Sequence, residues 1–202
     1  MQRRLTDRYT QALTYAAETH ADQVRKGPDQ IPYISHLLAA SSLVLEAGGS
    51  EDEAIAALLH DAAEDQGGEA RLVDIEKHFG ATVAGIVREC SDSLSDDPGA
   101  KEDWVMRKAR YLEHLKTATA SALLVTAADK THNARSLVSD IRLFGVDYLE
   151  PFTATPEQTV WYYSQVLNIL ADREVSLRLV SALAESVAQM RELISRSSAS
   201  PG

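Results

Sequence analysis

Ala56-Ala57-Leu58-Leu59-His60-Asp61-Ala62-Ala63-Glu64-Asp65 reads as a helical run that is apolar on every side until four ionisable side chains interrupt it. A helix that is apolar all round belongs in a core. Burying His60, Asp61, Glu64 and Asp65 there is costly unless they are paired or bound to a metal ion. On one continuous helix Glu64 lies a turn above His60, and Asp65 a turn above Asp61. The stretch therefore offers a lower pair to hold an ion and an upper pair to handle protons beside it.

Outward from this stretch, the hydrophobic spacing is helical throughout and no segment alternates as a strand. Residues 5–25 carry apolar positions at Tyr9, Leu13, Ala16 and Ala17 and break at Gly27-Pro28. Residues 35–47 form a second helix, ended by Gly48-Gly49, and Ser50-x-x-Glu53 is a capping box that opens the helix containing His60. Gln66-Gly67-Gly68 ends it. Helices follow at 70–79, 82–92, 101–116 and 121–140. Thr155-Pro156 places an N-cap before a proline at the first helical position of a helix through Leu170, and a last amphipathic helix spans 173–195. The expectation is an all-α bundle of about eight to nine helices, one domain over residues 1–196 with a flexible tail at 197–202. The acidic segment 91–99, with Pro98-Gly99, is expected to be a loop, either a connector or a lid.

The 202 residues carry a net charge of −10, which excludes a general nucleic-acid or anionic-membrane binder. A small anionic ligand remains compatible if cations are gathered locally or supplied by a metal. One cysteine, Cys90, leaves no internal disulfide and suits a reducing cytoplasm. No apolar run approaches the length of a membrane span. A cytoplasmic protein is expected, and a homo-oligomer is left open.

Two further clusters extend the first. In Ala127-Ala128-Asp129-Lys130-Thr131-His132-Asn133, Asp129 sits where an apolar helix would otherwise continue, with Asn133 one turn later on the same face. Alone, Asp129 reads as a capped or paired residue; beside His60-Asp61 it reads as a ligand. The other cluster is Arg25-Lys26-Gly27-Pro28 followed by Pro32-Tyr33-Ile34-Ser35-His36. Here His36 opens a helix after a proline turn, and Arg25 and Lys26 are a planar fork and a point charge suited to an anion.

These residues carry a resemblance. His36, His60-Asp61 and Asp129 resemble the metal quartet of the HD-domain phosphohydrolases. The wider pattern His20-x-x-Gln23-x-Arg25-Lys26, Pro32-Tyr33-x-x-His36, His60-Asp61-x-x-Glu64-Asp65 and Asp129-Lys130-x-His132-Asn133-x-Arg135 is similar to the alarmone-hydrolase branch. That branch comprises the hydrolase domain of RelA/SpoT proteins and the small stand-alone hydrolases. The resemblance implies an HD-domain helical bundle and removal of the 3′-pyrophosphate from guanosine tetra- or pentaphosphate. It also implies a divalent metal, manganese in this branch, held by His36, His60, Asp61 and Asp129. By the same likeness Glu64 and Asp65 would position or activate water, and Arg25, Lys26, Asn133 and Lys130 would contact the nucleotide.

Where the family pattern has proline after the first metal histidine this chain has Leu37, and Gln66 stands where threonine usually follows the acidic pair. A phosphatase of the same family acting on another nucleotide, and a nucleotide sensor that binds without hydrolysis, are the competing readings. The intact Glu64-Asp65 pair counts against the sensor.

Overall fold

The computed structural model describes residues 5–92 and 103–198, and their regular structure is helical apart from one isolated bridge. The chain divides into two compact units, one from Met1–Lys101 with Ala118–Asp129, the other from Glu102–Thr117 with Lys130–Gly202. Of the tail expected at 197–202, residues 197–198 belong instead to the last helix, Leu177–Ser198, and 199–202 lie outside the described residues, as does most of the expected acidic loop.

In the first unit, α1 (Asp7–Thr19), α2 (Ile34–Glu46), α3 (Glu51–Leu59), α4 (Ala62–Asp65), α5 (Gly68–Phe79) and α6 (Ala81–Cys90) are joined by the first part of α8 (Ala120–Phe144). The α3 helix is the axis of this unit, packed against α1, α2 and α6. All of Ala54 to Leu59 are fully buried, as an all-round apolar sequence requires. Burial of each of Ile55, Leu58 and Leu59 contributes about 1.5–3 kcal/mol. The capping box is present: Ser50 Oγ accepts from the Glu53 amide, and the Ser50 amide donates to Glu53 Oε2 at 2.6 Å. Glu53 also accepts from Ser121 Oγ at 2.8 Å, tying the start of α3 to α8.

The second unit holds α7 (Trp104–Leu115), a 3-10 turn at Val146–Leu149, α9 (Pro156–Asp172), α10 (Leu177–Ser198) and the rest of α8. Thr155 caps the helix with Pro156 at its start, as the sequence predicts, and the structure adds Gln158 as the partner of a second capping box. No described helix is long and apolar enough to cross a membrane.

Two expectations change. The helix read over 5–25 stops at Thr19, and residues beyond it turn into an antiparallel bridge between Val24 and Pro32. Gly27, with φ of 124°, sits in the turn that this bridge closes. The helix read through Asp65 is also interrupted at His60–Asp61. The Ala57 carbonyl, which would take the Asp61 amide in an unbroken helix, accepts instead from the His60 ring.

Gly49 sits where neighbouring segments leave no room for a side chain. A Cβ there would meet Val44 Cγ1 at 2.5 Å, the Val44 carbonyl oxygen at 2.9 Å and Leu124 Cδ2 at 3.2 Å. Gly49→Ala should therefore destabilise the protein by about 1–3 kcal/mol, read as a lowered urea midpoint; an unchanged midpoint would mean that α2 and α8 separate freely here.

Candidate functional site

Each side chain of the cluster is placed by a different piece of the first unit. Tyr33 precedes α2, and His36 sits in the first turn of that helix, fully buried. His60 and Asp61 occupy the interruption after α3, with His60 buried and Asp61 22% exposed at its side chain. Asp129 projects from the apolar part of α8 and is buried.

The four groups converge with alternating nitrogen and oxygen. His36 Nε2 lies 3.2 Å from Asp129 Oδ1 and 3.6 Å from Asp61 Oδ2. His60 Nε2 lies 3.1 Å from Asp61 Oδ2 and 3.6 Å from Asp129 Oδ1. Ligand atoms of His36, His60 and Asp129 all fall within 4.8 Å of one another. Metal–ligand bonds of about 2.0–2.2 Å place neighbouring donors about 3–4 Å apart, so His36, His60 and Asp129 fit one divalent ion, with Asp61 Oδ2 beside both imidazoles.

The tautomer of His60 supports that fit. Its Nδ1–H donates to the Ala57 carbonyl at 2.9 Å, which leaves the Nε2 lone pair facing the cluster. That Nε2 is buried and in hydrogen-bonding geometry with no group among the described residues. Mixed imidazole and carboxylate donors suit a borderline divalent cation.

The electrostatics point the same way. Burial works against the charged form of His60, but Asp61 and Asp129 outweigh it and hold the imidazole well above its ordinary value. For Asp61 burial pushes upward, and the two imidazoles reverse this, keeping the carboxyl well below the usual range.

Tyr33, Gln23 and His20 enter the sequence pattern quoted above, and the structure gives each a contact. Tyr33 Oη donates to Asp61 Oδ2 at 2.6 Å, and its ring stacks on His20 and meets His36 edge-on. Burial first, then the charges of Asp61 and Asp65, raise the Tyr33 pKa, so the phenol stays a donor. Gln23 Nε2 donates to Asp65 Oδ2 at 2.8 Å, while its Oε1 lies 2.6 Å from His20 Nδ1 and accepts from Gln66 Nε2 at 3.0 Å. Burial and the Asp61 charge raise the Asp65 pKa, opposed by the Gln23 hydrogen bond. The signal available beforehand was that polar Gln23 and Tyr33 flank a Gly-Pro turn.

The remaining expected residues are distributed as follows. Glu64 Oε2 accepts from the Asp92 amide at 2.9 Å. The Arg25 backbone joins the bridge, its amide donating to the Ile31 carbonyl at 2.8 Å; its side chain is half-buried, and Lys26 is exposed. In the second unit, Lys130 Nζ lies 5.9 and 6.0 Å from the ring centres of Tyr111 and Tyr162, and Asn133 is half-buried further along α8. Trp104 meets Trp161 and Tyr162 edge-on, and Tyr162 and Tyr163 are buried.

The profile of the HD-domain family matches residues 12–142, a span that contains the whole cluster. The guanosine-3′,5′-bis(diphosphate) 3′-pyrophosphohydrolase MESH1 of Xenopus tropicalis is 40% identical over 129 residues, covering 63% of this chain and 68% of that protein. The bifunctional (p)ppGpp synthase/hydrolase SpoT of Escherichia coli (strain K12) is 31% identical over 132 residues, 65% of this chain and 18% of that one. The solved structure of a metazoan ortholog of SpoT, described as hydrolyzing ppGpp, superimposes with a TM-score of 0.73 at 31% identity, over 92% of this chain and 97% of that chain.

The paired imidazoles and carboxylates predict a pH signature for protein held in chelator. His60 is raised above its unfolded value, so its contribution to stability is complete below about pH 6.5 and is lost as pH rises through the folded value. Asp61 is depressed, so its contribution is present above the ordinary carboxylate range and lost as pH falls through its folded value. Urea midpoints in chelator should therefore fall on the alkaline side, and a divalent ion should remove that fall by taking the place of the His60 proton; an alkaline limb indifferent to the ion would contradict this.

Proposed function

This chain belongs to the HD-domain family, and we propose that it is a metal-dependent hydrolase that removes the 3′-pyrophosphate of guanosine tetra- or pentaphosphate, giving GDP or GTP and pyrophosphate. The observation that carries this reading is the convergence of His36, His60, Asp61 and Asp129 on one buried point. The substrate is drawn from relatives that are named for this reaction. HD-domain hydrolases depend on a divalent metal, and we assign the ion here as manganese, held by those four side chains.

When bound, such an ion supplies Lewis acidity toward a phosphoryl oxygen and lowers the pKa of water at its open positions. The chain's own residues supply the rest. Asp65, whose pKa burial and Asp61 raise, takes the proton from attacking water at a carboxylate oxygen. Water adds to the phosphorus attached to the 3′ oxygen, the P–O3′ bond breaks, and the proton that Asp65 received passes to the leaving 3′ oxygen, giving a 3′-hydroxyl and pyrophosphate. Glu64 lies in the same short helix as Asp65 and supports this step. Arg25 and Lys26 take the phosphate charge, with Lys130 and Asn133 as further nucleotide contacts. A nucleotide substrate and a single cysteine fit a cytoplasmic enzyme.

The test is release of pyrophosphate and GDP from guanosine 3′,5′-bis(diphosphate) in manganese and in chelator, beside a panel of ordinary nucleotides. Manganese-dependent release that is absent in His60→Ala/Asp61→Ala is expected. Turnover of another nucleotide but not of the alarmone would discard the substrate, and binding without turnover would favour a sensor. Arg25→Ala should raise KM about 10–100-fold, the worth of a charge-assisted phosphate contact, with metal content unchanged; loss of metal in that variant would refute its role.

A further inference from the structure

The geometry points to Gln23 as a positioning residue for the reaction, one that fixes Asp65 as a proton acceptor. The inference rests on the catalytic reading of Asp65 given above.

The hydrogen-bond polarity settles what Gln23 does. Its Oε1 is approached by His20 Nδ1 at 2.6 Å and by Gln66 Nε2 at 3.0 Å. An amide oxygen only accepts, so His20 carries its proton on Nδ1 and both neighbours donate. The amide nitrogen is left to face Asp65 Oδ2, 2.8 Å away, and it can only donate. A carboxylate that receives this bond is held with its oxygen as an acceptor, the state a general base requires. Gln23 thereby opposes burial and the Asp61 charge, which both favour the protonated acid.

The anchor behind Gln23 is rigid. His20 is 2% exposed and stacks on Tyr33 with ring centres 5.3 Å apart at 22°. Backbone pairing secures the other side, because the Tyr33 amide donates to the Gln23 carbonyl at 2.9 Å across the bridged turn. The same turn therefore carries two supports of the site. Tyr33 aims at Asp61 and Gln23 aims at Asp65, so the ligand and the base are set from one backbone element. Gln66, at the position where this sequence departs from the family pattern, adds the second donor. Its own carbonyl is held by Arg71 Nε at 3.0 Å.

The experiment is a double-mutant cycle on alarmone turnover in manganese, with metal content and Tm measured for every variant. Gln23→Met should lower kcat about 10–100-fold with KM and bound manganese unchanged. In an Asp65→Asn background the same substitution should cause no further loss, because the group it positions is already gone. Equal losses in both backgrounds, or an unaltered kcat in Gln23→Met, would overturn the proposal. Asp65→Asn turning over like the parent would instead show that Asp65 is not the base, a failure of the underlying reading that is visible before Gln23 is touched. Gln23→Glu gives a second probe that keeps the side chain's shape. Combined with Asp65→Asn it restores a hydrogen bond of reversed polarity, so Tm should recover while kcat stays low. Recovery of both together would show that turnover needs no carboxylate at position 65, a failure of the underlying reading and with it of the positioning role.

Discussion

Two carboxylates and two imidazoles buried around one point are the constraint to which the rest of the first unit answers. With both histidines neutral, Asp61 and Asp129 would leave two negative charges in a low-dielectric interior, a state far too costly to stand alone. The cluster relieves this by raising His60 and depressing Asp61. A divalent cation relieves it more fully, since it cancels both charges and occupies the lone pair that His60 Nε2 leaves without a hydrogen bond. The affinity for an ion and the stability of this unit therefore draw on the same buried charges.

The scaffold is built to keep that point fixed. Complete burial of Ala54 to Leu59 pins α3, so its C-terminal end delivers His60 to a set position. The ring bond from His60 Nδ1 to the Ala57 carbonyl selects the tautomer at the point where the helix is interrupted. Beyond it the chain resumes as α4, where the Asp65 amide returns to the Asp61 carbonyl at 2.9 Å. The ligand pair and the acid beyond it are thus one helical turn apart although the helix is not continuous.

The turn between α1 and α2 has a comparable part. It is held by two backbone bonds beside the Val24–Pro32 bridge, and its short span places Gln23 next to Tyr33. Arg25 and Lys26, the proposed phosphate handles, follow directly in sequence, so one small element carries a hydrogen bond to Asp61, a hydrogen bond to Asp65 and two cations. In the second unit, Lys108 and Lys130 both lie over the rings of Tyr111 and Tyr162, which places cations on aromatic faces rather than in open solvent.

The sequence by itself determined the helical class, the capping box at Ser50, the N-cap at Thr155 and the candidate ligands, because these depend on local spacing: an apolar period, a Ser three residues before Glu, a Thr before Pro, and ionisable groups set in apolar runs. His36, His60-Asp61 and Asp129 were legible for the same reason, each breaking a pattern within its own segment. Only the tertiary structure decided how they meet. The break at His60 coincides with a ring bond to a backbone carbonyl, and the bridge at Val24 arises from pairing across a turn; neither leaves a periodic trace in a sequence that reads as helix on both sides. The roles of Tyr33, Gln23 and His20 depend on contacts between residues up to 43 positions apart, as in the bond from Gln66 to Gln23. Such contacts exist only once the apolar faces have docked, because hydrophobic burial is non-directional and it is the packed backbone that aims the polar groups.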